Sequence, residues 1–421
     1  MQDTSAWNWE PGKKAVVETA KMAEGTEWLE ELYASPDGEQ IAGVACMGES
    51  DWGMEFTMVV NGKKWETNFQ KVILPQWTPE NKLVSCVCQD EEWTISVDEK
   101  PWDEFFAFVM HPKFANGHIA VAFQNNFDYG CAIDGKAWDE VYLNSNQYTL
   151  SSCGTKTASV VQSERMEQAE IFRFQEGLFT IAVNGKRWDE LFVNCWTPVF
   201  NADNTKVACQ IRKSLYDYSI AVDGKAWETN YNCVWEPLFN PATGDVVAPF
   251  REKGKWGMLQ NDKVLWEPKY FQCWHQQFSA DGKNLWAIGA PEYGGFTVIK
   301  NNTPWNSRAM IMTDLVLSPN GDSAAAIVRN EDFSFTIVHD DKVWGETFDM
   351  VWPPVFSPCG KHVAALAEKN GKYTIYVDGK PYKESFDRAF VPVFSPDSSK
   401  VLVKGITGGT YYRIVAPMSD F

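Results

Sequence analysis

Five histidines, ten cysteines and a recurring carboxylate are the residues of this chain best suited to chemistry. The histidines are His111, His118, His275, His339 and His362. Two imidazoles on one helix face, as in H-E-x-x-H, would hold zinc, and a G-x-S-x-G serine beside a histidine would attack an acyl carbon. Neither arrangement occurs, and there is no P-loop or G-x-G-x-x-G. His339 stands where sister copies of a repeat carry valine, which reads as a packed side chain. His275 follows Trp274 in "FQCWHQQF", where it is positioned to reach an opening of the fold. Among the cysteines only Cys86 and Cys88 are close, as C-x-C. Covalent c-type haem and the usual zinc spacings need C-x-x-C, which is absent. The opening stretch "MQDTSAWNWEPGKK" has no basic n-region and no apolar h-region, so a cytoplasmic chain with reduced, mostly buried thiols is expected. The carboxylate follows a tryptophan, as in Trp138-Asp139, Trp188-Asp189 and Trp227-Glu228. Because it recurs, it reads as a partner of the preceding Lys or Arg in "GKRWDE" and not as half of a hydrolytic pair. These residues predict no catalytic site, no metal and no cofactor.

The tryptophan marks a repeat. It falls at Trp28, Trp65, Trp102, Trp138, Trp188, Trp227, Trp266, Trp305 and Trp344, with Tyr382 in the tenth place. Successive spacings run from 36 to 39 residues, except 50 between Trp138 and Trp188. The surplus is the polar stretch "QSERMEQAEIFRFQEG" (162–177), which reads as a long loop. Before each tryptophan lies a turn, clearest as Asn184-Gly185, Asp223-Gly224 and Asp378-Gly379, whose residue types accept the positive φ of a type I′ hairpin. Ahead of the turn, alternation such as Tyr218, Ile220, Val222 marks a strand with one buried face. After the tryptophan come a short strand, a turn such as "SPDGEQ" or "SPCGKH", and another strand.

Four short antiparallel strands per unit of about 39 residues predict an all-β chain built as a β-propeller. The units run near 29–65, 66–102, 103–138, 139–188, 189–227, 228–266, 267–305, 306–344 and 345–382. The tenth, 383–421, is expected to be completed by the N-terminal strand at 20–28. One propeller over 1–421 follows, with two five-bladed halves as the alternative. The motif tryptophan is expected between neighbouring blades.

A second aromatic series stands eight residues after the motif: Trp196, Trp235, Trp274, Trp352 and Phe390. Cys195, Cys233 and Cys273 lie just before three of them. These positions, with His275, are expected at the start of the innermost strand near one mouth of the channel. There they either pack or bind a partner, since Trp is enriched in interface hot spots. The net charge of −18 argues against nucleic acid and against tight docking on an anionic membrane. No apolar run is long enough to span a bilayer.

The "SPDGK" turns resemble those of TolB-type and WD40-like propellers. Along the whole chain, "VNGKRWDELF" and "VDGKAWETNY" together with the chain length resemble the tryptophan-rich TmcD-type subunits of the Tmc transmembrane redox complexes of sulfate-reducing bacteria. That resemblance implies a cytoplasmic, non-catalytic scaffold with no redox centre of its own. The implied partners are a multihaem cytochrome c, a membrane cytochrome b and an iron–sulfur heterodisulfide-reductase-like subunit. A stand-alone interaction propeller and a propeller lyase or hydrolase are the alternatives.

Overall fold

The tight turns of the repeat set the fold's geometry. In the computed structural model, which describes residues 3–50, 53–166 and 170–421, Asn184 has φ 48° and Gly185 φ 83°. Asp223-Gly224 and Asp378-Gly379 take the same left-handed pair. The first turn residue has a second role. Asp223 Oδ1 accepts the N–H of Val207, the first residue of the preceding strand, at 2.8 Å. Asn61 does this for Ile41 (2.9 Å), Asn184 for Thr157 (2.9 Å) and Asp378 for Val363 (2.9 Å). Each side chain ties the hairpin to its neighbour strand and satisfies a backbone donor at the sheet's end.

Ten antiparallel sheets follow one another along the chain, so the fold is an all-β propeller. Blades 1 to 9 occupy 28–64, 71–101, 108–137, 144–187, 194–226, 233–270, 272–304, 311–343 and 350–381. The last blade combines 388–417 with Gly12–Glu18. The outer strand is only two residues long in most blades, as at Lys186–Arg187. In blade 6 it extends over Lys263–Tyr270, and register shifts absorb the extra residue of "NDKVLW". Blades 6 and 9 break the first strand in two, at Trp235-Glu236-Pro237 and Trp352-Pro353-Pro354, because proline offers no N–H to the ladder. Helix is confined to Thr19–Met22, Ile171–Glu176 and a terminal 3₁₀ turn among the described residues. No helix there is long and apolar enough to cross a membrane.

The chain divides into two compact units. One comprises residues 1–90, 96–100 and 279–421; the other 91–95 and 101–278. In the second unit, blades 4 and 5 share a core of Val160, Ile181, Phe192, Cys209 and Ile211, with Trp188 packed against it. Blades 5 and 6 share Ile220, Val234, Phe239 and Phe250. In the first unit, blades 8 and 9 meet through Ile337, Phe348, Val363 and Tyr376, and blade 9 meets the last through Ile375, Phe386, Val403 and Ile414.

The motif tryptophan sits just beyond the two-residue outer strand, where its N–H bonds the third strand. Trp188 N donates to Ile181 O at 2.9 Å, Trp227 to Ile220 O at 2.8 Å and Trp344 to Ile337 O at 2.8 Å. Its indole lies under the hairpin glycine of the next blade. A Cβ added at Gly224 would come within 3.1 Å of Trp188, and one at Gly379 within 3.4 Å of Trp344. The glycine thus supplies both the positive φ and the space for the ring. At three hairpins that lack glycine, a carboxylate takes over. Asp262 (φ 64°) accepts the N–H groups of Glu228 and Thr229, each at 3.1 Å. Asp341 accepts those of Asn306 and Ser307, and Glu99 those of Glu66 and Thr67.

Four expectations need correction. The strand that completes the last blade is Gly12–Glu18, paired with Thr410–Pro417, and not 20–28. Trp28 is not a copy of the motif tryptophan. It opens the first strand of blade 1 and is 44% exposed. Its counterpart in the repeat is Met22, fully buried, whose sulfur accepts the N–H of Gly62 at 2.9 Å. The stretch 162–177 is not all loop, since Ile171–Glu176 is helical; its residues 167–169 lie outside the described set. The acidic residues after the tryptophans make no ion pair with the preceding cation among the described residues, and Arg187 instead bonds Trp188 O at 3.3 Å.

In the first unit the chain ends are joined by a buried clamp. Lys404, 5% exposed, donates to the carbonyls of Ser35 and Pro36 at 3.2 and 3.3 Å. Tyr411 donates to Gly38 O at 3.1 Å, and Arg413 to Asp37 O at 2.8 Å and to Asn8 O at 2.6 Å. Three side chains of the last blade thus grip a whole "SPDG" turn of the first.

Candidate partner-docking site

Trp196, Trp274 and Phe390 occupy the third position of the first strand in their blades, and Trp235 and Trp352 stand at the equivalent place, directly after Cys233–Val234 and Met350–Val351. The ladder shifts directly after this position: Trp196 pairs with Gln210, but the next pair is Val199 with Ala208. The next residue often takes positive φ, 46° at Thr197, 57° at His275 and 54° at His111. Such a bulge bends the strand and re-aims the side chains around it. Proline or another buried residue follows, and it can reach the preceding blade. Gln276 Nε2 donates to Glu236 O at 2.6 Å, and Tyr148 donates to His111 O in the same way.

Four of these aromatics lean across their sheets onto an aromatic of the third strand. Trp196 stacks on Tyr218 (6.2 Å between centroids, 24° between planes) and Trp235 lies 5.6 Å from Trp256. Trp352 meets Tyr373 at 5.7 Å, and Phe390 meets Tyr411 edge-on at 6.0 Å. The rings are held but not covered: Trp235 is 44% exposed, and Trp196, Trp274, Trp352 and Phe390 are half-buried. In the second unit the structure sets Trp196, Trp235, Trp274 and the exposed His275 at the same place on three consecutive blades. In the first unit Trp352 and Phe390 stand on consecutive blades.

The cysteines beside this series are no ligand set. Cys195 and Cys273 are buried, and burial pushes the Cys273 thiol up to about 12. Among the described residues no three His, Cys, Asp or Glu side chains come together as a metal site. Three of the other histidines are tied into turns. His118 contacts Asp134 at 2.6 Å, His362 contacts Asp378 at 2.7 Å, and His339 contacts Ser323 at 3.0 Å and faces Phe356. All ten cysteines are unpaired, and seven are buried.

Sequence reasoning missed two groups of residues. The first is a set of aromatics at the tips of the loops joining second and third strands. Phe127 is 83% exposed, Phe172 81%, Tyr216 80%, Tyr293 89% and Phe333 60%. Their signal is an aromatic flanked by Asn, Asp or Gly between two alternating strands, as in "NNFD" and "EYGG". The second is Cys153 and Cys359, which stand where sister "SPDG" turns carry an aspartate. In those turns the carboxylate accepts a serine hydroxyl, as Asp281 does from Ser279 at 2.6 Å. In the same place Ser151 and Thr155 hydroxyls, 3.3 and 3.1 Å from Cys153 Sγ, hold that thiol down to about 7. Ser357 and Ser398 do so for Cys359.

No family model matches this sequence, and no curated protein matches it. Solved structures are similar in fold. A eukaryotic initiation factor aligns at 11% identity over 76% of this chain and 88% of its own, with a TM-score of 0.47. TolB from Acinetobacter baumannii aligns at 13% identity over 57% of this chain and 61% of its own (TM-score 0.30). The β-propeller domain of the Trilobed protease from Pyrococcus furiosus aligns at 12% over 65% and 95% (TM-score 0.30). Likeness at this level concerns the fold alone and carries no argument about activity.

Proposed function

We propose that this chain is a non-catalytic docking subunit of a membrane-associated electron-transfer complex, without a redox centre of its own. The observation that supports this reading is the series Trp196, Trp235 and Trp274: three large rings left half open on consecutive blades, with Trp196 and Trp235 held against third-strand rings. Rigid aromatics that lose little entropy on contact are the side chains that dominate protein–protein hot spots. The resemblance of the tryptophan-rich repeats to TmcD-type subunits supplies the class of partner: a multihaem cytochrome c, a membrane cytochrome b and an iron–sulfur heterodisulfide-reductase-like protein. In that setting the chain sits in the cytoplasm and reaches the membrane through its partners.

The test is affinity purification of the tagged full chain from detergent-solubilised membranes of its source organism. The reading expects c- and b-type haem absorbance and iron to co-elute, while the chain purified alone is colourless. A chain that elutes without haem or iron, or that binds haem or flavin itself, overturns it. Co-elution with soluble, cofactor-free proteins would instead favour a stand-alone interaction propeller.

A further inference from the structure

The large apolar side chains left in solvent are unevenly placed. In the second unit Phe127, Phe172 and Tyr216 protrude from the loops between second and third strands of blades 3, 4 and 5. Trp235, just after Cys233–Val234, and Phe271, just before Gln272–Phe278, are exposed beside first strands, which begin at that same end. The opposite end, made of "SPDG"-type and Asp-Gly turns, exposes no aromatic among the described residues. There the polar side chains bond their own turns, as Asp203 does with Thr205 at 2.5 Å.

The aromatic end also has a pattern of charge. Its cations are largely used within the chain. Arg173 bonds Glu164 at 2.8 Å and lies 3.6 Å from Glu170. Arg212 bonds Leu215 O and covers the Tyr218 ring, and Lys213 bonds Trp227 O. Lys255 lies 3.0 Å from the centre of Phe271. Arg165, Arg251 and the exposed Lys253, 3.8 Å from Glu252, remain. Beside the protruding rings, Asp128, Glu176, Asp217 and Glu236 form no ion pair among the described residues. The first unit repeats the theme, with Arg329 over Phe333 and Phe335 and Arg388 over Phe390. Rings at this end therefore already take cations over their faces where the chain can supply them.

We infer that this end of the second unit docks a protein surface rich in lysine and arginine, whose cationic side chains settle over Phe127, Phe172 and Tyr216 and between the neighbouring carboxylates. A ring face attracts a cation through its quadrupole, and an adjacent carboxylate adds to the attraction. A lipid bilayer fits less well: the carboxylates flanking each ring would resist entry into an anionic headgroup layer. The inference rests on the docking role proposed above and assigns the face and the partner's chemistry.

The probe is a fluorescein-labelled oligolysine peptide, titrated into the full chain and read by anisotropy. A comparison with Phe127→Ser/Phe172→Ser/Tyr216→Ser leaves the net charge unchanged, so general attraction to an acidic protein cancels. Each of these residues is at least 80% exposed, so the melting temperature should not move. We expect the variant to bind at least about tenfold more weakly, as loss of an interface hot spot does. Equal binding by wild type and variant overturns the inference. So does sedimentation of the wild type with phosphatidylcholine vesicles in place of peptide binding. If the variant still co-purifies with haem-bearing subunits, this face is wrong while the docking role stands. If wild type binds the peptide but recovers no redox subunit, the partner class is wrong while the face stands.

Discussion

Cys153 and Cys359 show what a single substitution in a repeat reveals about its site. The turn selects an acceptor beside a serine hydroxyl, and Asp37, Asp281 and Asp397 meet that need in their copies. A thiol in the same place is pulled toward its anion, because only the thiolate accepts those bonds well. Half-ionisation near pH 7 predicts that limited iodoacetamide at pH 7 labels Cys153 and Cys359 before the buried cysteines. Mass mapping checks this, and prior labelling of Cys86 or Cys131 would contradict it. The buried thiols predict the opposite pH behaviour. Burial pushes Cys86 up to about 12 from the ordinary 9.0. Above pH 9 the unfolded chain loses this proton while the native chain keeps it, so stability falls as pH rises. Urea midpoints at pH 9 and 10 should show a fall about 1 kcal/mol smaller in Cys86→Ala than in wild type. Identical slopes would contradict it. Lys404, lowered to about 8 by burial, pushes the other way between pH 8 and 10.5, but it acts equally in both chains.

Between residues and the whole lies the joint of one blade to the next. A blade's third strand, hairpin and motif tryptophan form one module, and its indole rests under the next hairpin's glycine. This makes Trp188 a tie between blades 4 and 5. Trp188→Ala should cost about 3 kcal/mol in equilibrium unfolding, a large ring removed from a packed seam. A loss below about 1 kcal/mol would mean that the neighbouring blades pack without it. Much of this element was legible beforehand. Asn-Gly and Asp-Gly announce a hairpin through backbone geometry alone, and the alternation Tyr218, Ile220, Val222 names the buried face. Other features were not legible because they need three dimensions. The strand-capping bond from Asp223 to Val207 spans 16 residues. The carboxylates that stand in for glycine, Asp262 and Asp341, look in sequence like weak copies of the turn, yet they make bonds the glycine copies lack.

For the whole molecule, the instructive error lies at the N-terminus. "EGTEW" imitates the motif because Gly25 precedes Trp28 by the same interval as Gly185 precedes Trp188. The true equivalent, Met22, carries no aromatic signal. The real completing strand, Gly12–Glu18, is mostly exposed and so shows little alternation. The number and type of blades were readable from spacing; the strand that joins the chain ends was not. Deleting residues 1–18 should therefore leave the last blade with an unpaired edge at Thr410–Pro417. We expect a lower melting temperature and self-association by light scattering, since open edges recruit other strands. A truncated chain as stable and monomeric as the intact one would contradict that assignment. The candidate site was legible as a series of residues, and the structure adds their shared strand position, their stacking partners and the exposed tips at the same end. The central claim is that the half-open tryptophans hold a redox partner. Its most direct test is the ratio of haem to chain recovered when tagged wild type and the Trp196→Ala/Trp235→Ala/Trp274→Ala variant are purified from solubilised membranes. Haem is expected with the wild type and lost from a variant that still folds; equal haem with both would contradict the docking role.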